Sequence, residues 1–291
     1  MSQTTPLSDA EIQAVTAAMR DVSRTVILPM FDNPAPIESS DKSGKGDWVT
    51  EGDIQAERAL TAFLNKLRPD STVLGEEVVG TDVALYHTLR NKPGMVWTVD
   101  PIDGTLNFRA KNPRFGTMIA CVYDNVIQQA WIYCPRLEGG IMLTAGRGRG
   151  AFAQYDNGRP TTRLQAPTHT RATMLSGYHL GHNQVVDERW FPVVETCARA
   201  NGLGVFAHTS MAADAVEMVL HHRKALVYTL PKLWDSAPPA LILNESGGVA
   251  APINQFAQDI YGHNGEDFYV FAPNLATALA LRGLFGQRQA A

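Results

Sequence analysis

Two carboxylates, Asp100 and Asp103, sit in Asp100-Pro101-Ile102-Asp103-Gly104-Thr105-Leu106-Asn107-Phe108, directly after the apolar run 95–99. The run reads as a buried strand that Pro101 ends, and Gly104 lets the backbone approach a ligand closely. A bend between the two aspartates, rather than a pleat, lets both face one cavity with the Ile102 carbonyl between them. Oxygen donors of this kind suit Mg2+, which keeps several waters and shares substrate phosphates. An Asp-rich surface turn is the alternative reading of the same residues.

Three further segments extend the pattern. Leu74-Gly75-Glu76-Glu77 lies upstream, Leu233-Trp234-Asp235-Ser236-Ala237 and Glu245-Ser246-Gly247-Gly248 lie downstream, and Lys42-Ser43-Gly44-Lys45-Gly46-Asp47-Trp48-Val49-Thr50-Glu51-Gly52-Asp53 lies near the N-terminus. In order and spacing these segments resemble the inositol monophosphatase family of Mg2+-dependent, lithium-sensitive phosphomonoesterases, from about the first helix to the last strand.

The resemblance implies a layered αβαβα sandwich of the inositol monophosphatase and fructose bisphosphatase type, α/β overall. Residues 1–164 would form an α+β half with an antiparallel sheet and most metal ligands. Residues 165–291 would form an α/β half supplying Asp235 and the substrate pocket, with the active site at the junction. It implies two or three Mg2+ per site, one held by Glu76, Asp100 and the Ile102 carbonyl, another by Asp100, Asp103 and Asp235, so that Asp100 bridges them. A cation-activated water would attack the phosphorus, oriented by Glu76 and Thr105, with Asp47 behind Thr105 and Lys42 swinging in from the loop 40–46. Substrate would meet the N–H groups of Gly104 and Thr105 together with Asp103, Ser210, Tyr228 and Asp235. Glu77 is read as shaping the site rather than as a ligand. The resemblance also implies a homodimer.

The implied substrate is inositol monophosphate or a similar small phosphorylated alcohol. Inositol-selecting relatives carry a glutamate several residues before the Trp-Asp pair, where this chain has Tyr228, and the family's Gly-Ser/Thr-Ala-Ala element is altered to Thr209-Ser210-Met211-Ala212. A phosphatase for phosphoadenosine phosphate, fructose bisphosphate or histidinol phosphate is therefore the alternative, followed by a non-catalytic regulatory binding protein.

Converging acids need a reason to be tolerated. Each unpaired like-charge contact near ~4 Å costs about 4 kcal/mol at an effective dielectric of about 20, and bound cations remove that cost. A net charge of −4 argues against an extended nucleic-acid footprint, and 291 residues at 45% hydrophobic suffice for a full core. No apolar stretch could span a bilayer and the N-terminus lacks a leader pattern, so a cytoplasmic protein is expected. Cys121, Cys134 and Cys197 have no zinc spacing and read as buried free thiols.

The elements that must position these residues are legible in outline. Ser8 with Glu11 forms a capping box ahead of an apolar stripe, Ile12, Val15, Met19, Val22 and Val26. Thr50 with Asp53 caps a second helix carrying Ile54, Leu60, Leu64 and Leu67 inward. Strands are predicted at 116–123 and 126–133 around Asp124-Asn125, and at 141–144 and 151–155 before Asn157-Gly158. Beyond 160–167, strand and helix alternate: 172–176, 187–200, 204–207, 210–222, 225–229, 235–245 and 267–271, then a last helix. Asp235 also reads as an N-cap, with Pro238 in the first helical turn. His221 and His222 read as a solvated helix end, and 146–150 (GRGRG) as a tight β connection.

Overall fold

The computed structural model describes residues 7–42, 48–166, 172–179, 195–196, 198–200, 202–205, 209–229, 232–252 and 268–285. Helix α1 (Asp9–Val22) begins at the Ser8/Glu11 capping box, passes through one π-helical turn at Ser23–Ile27 and continues as α2 (Leu28–Asp32). A short hairpin, β1 (Ser39–Asp41) with β2 (Trp48–Thr50), leads into α3 (Glu51–Leu67), where Thr50 and Asp53 cap each other reciprocally. Both helices start where a side-chain oxygen takes an orphan N–H, as the sequence predicts.

A seven-stranded sheet follows in chain order: β3 (Thr72–Gly75), β4 (Met95–Asp103), β5 (Gly116–Tyr123), β6 (Val126–Cys134), β7 (Ile141–Gly146), β8 (Gly150–Tyr155) and β9 (Thr162–Arg163). All neighbours are antiparallel except β3 and β4, which run parallel and are joined through α4 (Glu76–Val79) and α5 (Val83–Arg90). Asp124 and Asn125 turn between β5 and β6, both with positive φ. Asn and Asp tolerate that conformation better than other residues, which is why this dipeptide can close the hairpin.

A second, mixed sheet has the order β11-β10-β12-β14-β13, comprising β10 (Met174–His179), β11 (Gly204–Val205), β12 (Lys224–Thr229), β13 (Val249–Pro252) and β14 (Phe268–Ala272). The predicted helix at 187–200 falls largely outside the described residues.

Five layers result. Helices α1 and α3 bury Val15, Met19, Leu60 and Leu64 against Trp97, Val99, Ile119 and Trp131 on one face of the large sheet. On its other face Met118, Ala130 and Ile132 join Met211, Ala215, Trp234 and Ile242 from α7 (Met211–Leu220) and α8 (Leu233–Ser246). This core continues to Leu226, Tyr228 and Tyr269 of the small sheet. The outer face of the small sheet packs Val227 and Val270 against Ala278 and Leu281 of α9 (Leu275–Phe285). Strands buried on both faces explain the uninterrupted apolar runs in the sequence. Each large side chain so buried contributes about 1.5–3 kcal/mol, against about 1 kcal/mol or less for an exposed ion pair such as Arg24–Asp21, so the layers are held by their cores. The change of sheet falls between Arg163 and Met174, yet one core runs through α7 and α8 into both sheets. No helix among the described residues is long and apolar enough to cross a membrane.

Two expectations are corrected. Pro101 does not end its strand: β4 continues to Asp103 through a bulge, with Asp100 opposite Met118 and Asp103 opposite Gly116. The proline adds no N–H to the ladder, but its carbonyl accepts the Thr117 hydroxyl at 2.8 Å, which keeps the strand anchored. Asp235 is not an N-cap. Helix α8 starts earlier, with Lys232 at the cap, because Leu233 and Trp234 are buried in its first turn and the Leu233 N–H donates to the Tyr86 hydroxyl at 3.1 Å. Pro238 and Pro239 consequently lie inside the helix.

Candidate metal centre

Strand register brings the first acids together. Because β3 and β4 are parallel with Gly75 beside Val99, Glu76 follows the end of β3 level with Asp100 on β4, which continues in its pairing with β5. The bulge inserts one extra residue after Asp100, breaking the pleat's alternation, so Asp103 joins Asp100 on one side instead of pointing away. The first turn of α8 adds Asp235. Carboxylate oxygens of Asp100, Asp103 and Asp235 lie within 4.8 Å of one another.

Each acid is held differently. Asp103 accepts the Ser210 hydroxyl and the N–H groups of Met211 at 3.1 Å and Ala212 at 2.7 Å, so the N-terminus of α7 fixes it from the second half of the chain. Asp235 accepts the Tyr228 hydroxyl at 3.3 Å. Asp100 is 2% exposed, and its buried Oδ1 has no hydrogen-bond partner. A buried carboxylate oxygen without a donor is expensive unless something positive meets it. Burial, then the charges of Glu76 and Asp103, push Asp100 and Asp235 well above the usual carboxylate range. A hard divalent cation fits this set, because every donor is oxygen and Asp100 has a coordination position to spare.

Glu76 lies outside that trio. It turns to Lys42, whose ammonium donates to Glu76 at 3.1 Å and to both oxygens of Glu77 at 3.3 and 3.1 Å. Glu77 is pushed up to about 8 by burial and by the Glu76 charge. The Ile102 carbonyl, an expected ligand, accepts the Thr105 hydroxyl at 3.2 Å and retains a second lone pair. Gly104 caps α6 (Thr105–Arg109) with φ 86°, and a Cβ there would come within 2.8 Å of the Ser210 Cβ, so both conformation and space require glycine. Ser210 is engaged with Asp103 and with the N–H of Ala213, and Tyr228 is buried against Asp235. Asp47 lies outside the described residues.

One residue was absent from the sequence reading. Glu57 is buried on the inner face of α3 and accepts the N–H groups of Glu77 and Val78 at 2.7 and 2.8 Å. An acid on the apolar stripe of Ala56, Leu60 and Leu64 was the available signal.

Buried acids make stability depend on pH. Burial raises Asp53 and Glu57 from 3.8 and 4.5 to about 7. The folded protein therefore holds protons that the unfolded chain has already released, and this stabilisation is lost as pH rises from about 4 through 7. In chelator, Tm is expected to fall between pH 5 and 8, and added Mg2+ should shrink that fall by replacing protons; a pH-independent Tm in chelator would contradict this electrostatic account.

A model of the inositol monophosphatase family matches residues 6–279. The chain belongs to the inositol monophosphatase family. It is 29% identical over 257 residues to inositol-1-monophosphatase of Caulobacter vibrioides, covering 86% of this chain and 90% of that protein. It is also 29% identical over 203 residues to histidinol-phosphatase of Mycobacterium tuberculosis, covering 69% and 72%. Among solved structures, the extragenic suppressor protein suhB of Bartonella henselae shares the fold with a TM-score of 0.73 at 22% identity, covering 95% of this chain and 98% of that one.

Proposed function

We propose that this protein is a Mg2+-dependent phosphomonoesterase acting on inositol monophosphate or a similar small phosphorylated alcohol. The observation that carries the reading is the convergence of Asp100, Asp103 and Asp235 around an unpartnered, buried Asp100 oxygen. The site would hold cations through Glu76, Asp100, the Ile102 carbonyl, Asp103 and Asp235. Bound there, Mg2+ supplies charge neutralisation for the phosphoryl group and lowers the pKa of water.

The protein groups do the rest. Asp103, clamped by α7, keeps its oxygens in one orientation, and the N–H groups of Gly104 and Thr105 at the start of α6 receive phosphate oxygens. The Thr105 hydroxyl, which donates to the Ile102 carbonyl, would with Glu76 orient the attacking water and take up its proton. Water adds to phosphorus, the bond to the alcohol oxygen breaks, and the alcohol leaves with a proton beside inorganic phosphate. Lys42, paired with Glu76 and Glu77, is the cation at the loop side of the site.

The chain stands equally far, at 29% identity, from an inositol phosphatase and from a histidinol phosphatase, so overall likeness does not choose the alcohol. Tyr228 favours a broad choice. Its hydroxyl is directed at Asp235, leaving no carboxylate there to hold several sugar hydroxyls. A site lacking those acceptors discriminates weakly. Phosphate release across a panel of inositol, sugar, histidinol and adenosine phosphates is expected to give kcat/KM values within about two orders of magnitude. Tyr228→Glu should shift the profile toward inositol monophosphate. No phosphate release from any member would favour the non-catalytic alternative, and an unchanged profile in Tyr228→Glu would remove this residue from the specificity argument.

A further inference from the structure

The turn that carries Glu76 has little to hold it from within beyond the Gly80 N–H donating to the Glu76 carbonyl at 2.8 Å. Helix α4 is only four residues long, and its N-cap, Gly75, has no side chain to take the free N–H groups. A helix this short is unstable without outside support. Glu57 provides it from α3, accepting the N–H groups of Glu77 and Val78 with its two carboxylate oxygens. Gly75 has φ −94° and ψ 148°, a conformation open to any residue, yet a Cβ there would lie 2.4–2.6 Å from the Glu57 carboxylate. The glycine of the Gly-Glu-Glu motif is thus required by Glu57, not by the backbone. An ordinary hydroxyl cap at position 75, such as Ser, would satisfy one of the same N–H groups without burying a carboxylate.

From this arrangement we propose that Glu57 is a positioning residue for the metal centre: it clamps the first turn of α4 and so fixes Glu76 at the sheet edge beside Asp100. This rests on the reading that Glu76 holds a cation. Groups that hold a metal's own ligands are commonly worth about 10- to 100-fold in affinity.

Calorimetric titration of Mg2+ into wild type, Glu57→Gln and Glu57→Asp, with Tm measured in chelator, tests the proposal. Glu57→Gln turns one acceptor into a donor facing an N–H, and should weaken Mg2+ binding about 10- to 100-fold, with Glu57→Asp intermediate because it keeps the charge at shorter reach. If Glu57→Gln does not fold, Glu57→Asp carries the same comparison. Gly75→Ala should weaken binding comparably by displacing Glu57, but should add nothing further in a Glu57→Ala background. Mg2+ affinity equal to wild type in the Glu57 variants, with only Tm lowered, would reduce Glu57 to a structural role and overturn the inference. Absence of Mg2+ uptake by wild type would overturn the metal reading itself.

Discussion

Asp100→Asn is expected to lower kcat/KM by about three orders of magnitude. Losing one full charge contact near ~4 Å is worth about 4 kcal/mol at an effective dielectric of about 20, and each ~1.4 kcal/mol in the barrier is tenfold in rate. Asp100 is the buried member of the trio and the one with an oxygen left unpartnered, so the loss falls on a group with no other task. Glu77→Gln should cost far less, on the order of tenfold, since Glu77 lies against Lys42 rather than in the trio. Stability separates chemistry from misfolding here. Burial and neighbouring acids disfavour the Asp100 charge, so Asn at this position should leave Tm in chelator unchanged or raised. Equal activity losses in the two variants, both folded, would contradict the special place given to Asp100.

How far the sequence foretold this depends on the range over which each signal acts. Local chemistry was legible: the Ser8/Glu11 and Thr50/Asp53 boxes start α1 and α3, and Asp124-Asn125 turns β5 into β6. The run 116–123 was legible as a strand, while the sandwich of sheets between helices was what the family resemblance implied and burial on both faces bears out. Pro101 misled because a proline's effect on a strand depends on its neighbours. The Thr117 hydroxyl and a bulge let β4 pass through it, and that same bulge is what turns Asp103 to the side of Asp100. The start of α8 was misplaced for a similar reason, since the burial of Leu233 and Trp234 and the hydroxyl of Tyr86 are contacts made across the fold.

The acids of the site were readable as types and spacings, while their partners were not. Nothing in the local sequence says that Asp103 is gripped by the N-terminus of α7, or that Tyr228 reaches Asp235. The β3–β4 register that sets Glu76 beside Asp100 is equally non-local, because a parallel pair requires the intervening α4 and α5 to fold back. Glu57 was hidden by its setting: on an apolar helical stripe an acid looks like an interruption until the N–H groups of Glu77 and Val78 are seen in front of it.

Removal of divalent metal should have the largest effect of all, abolishing phosphate release, with added Mg2+ restoring it. The argument is electrostatic. Asp100, Asp103 and Asp235 share one small volume, with hydroxyl and N–H donors on Asp103 and a hydroxyl on Asp235, while Lys42 is engaged by Glu76 and Glu77. An incoming phosphate would add more negative charge to a region that already holds protons to relieve its own. Among the described residues Lys232 acts on Asp235, yet burial and the neighbouring acids still leave Asp235 and Asp100 well above the usual carboxylate range, so without metal the site should repel the substrate it is meant to bind. Metal uptake should release protons near pH 7, since ligands must ionise to coordinate, and the number released can be counted by titrating Mg2+ in buffers of different ionisation enthalpy. Chelated protein should remain folded and regain activity on adding Mg2+, which separates loss of charge compensation from loss of structure. Full turnover after exhaustive chelation, or Mg2+ binding without proton release, would mean that the acid cluster is not the seat of the chemistry.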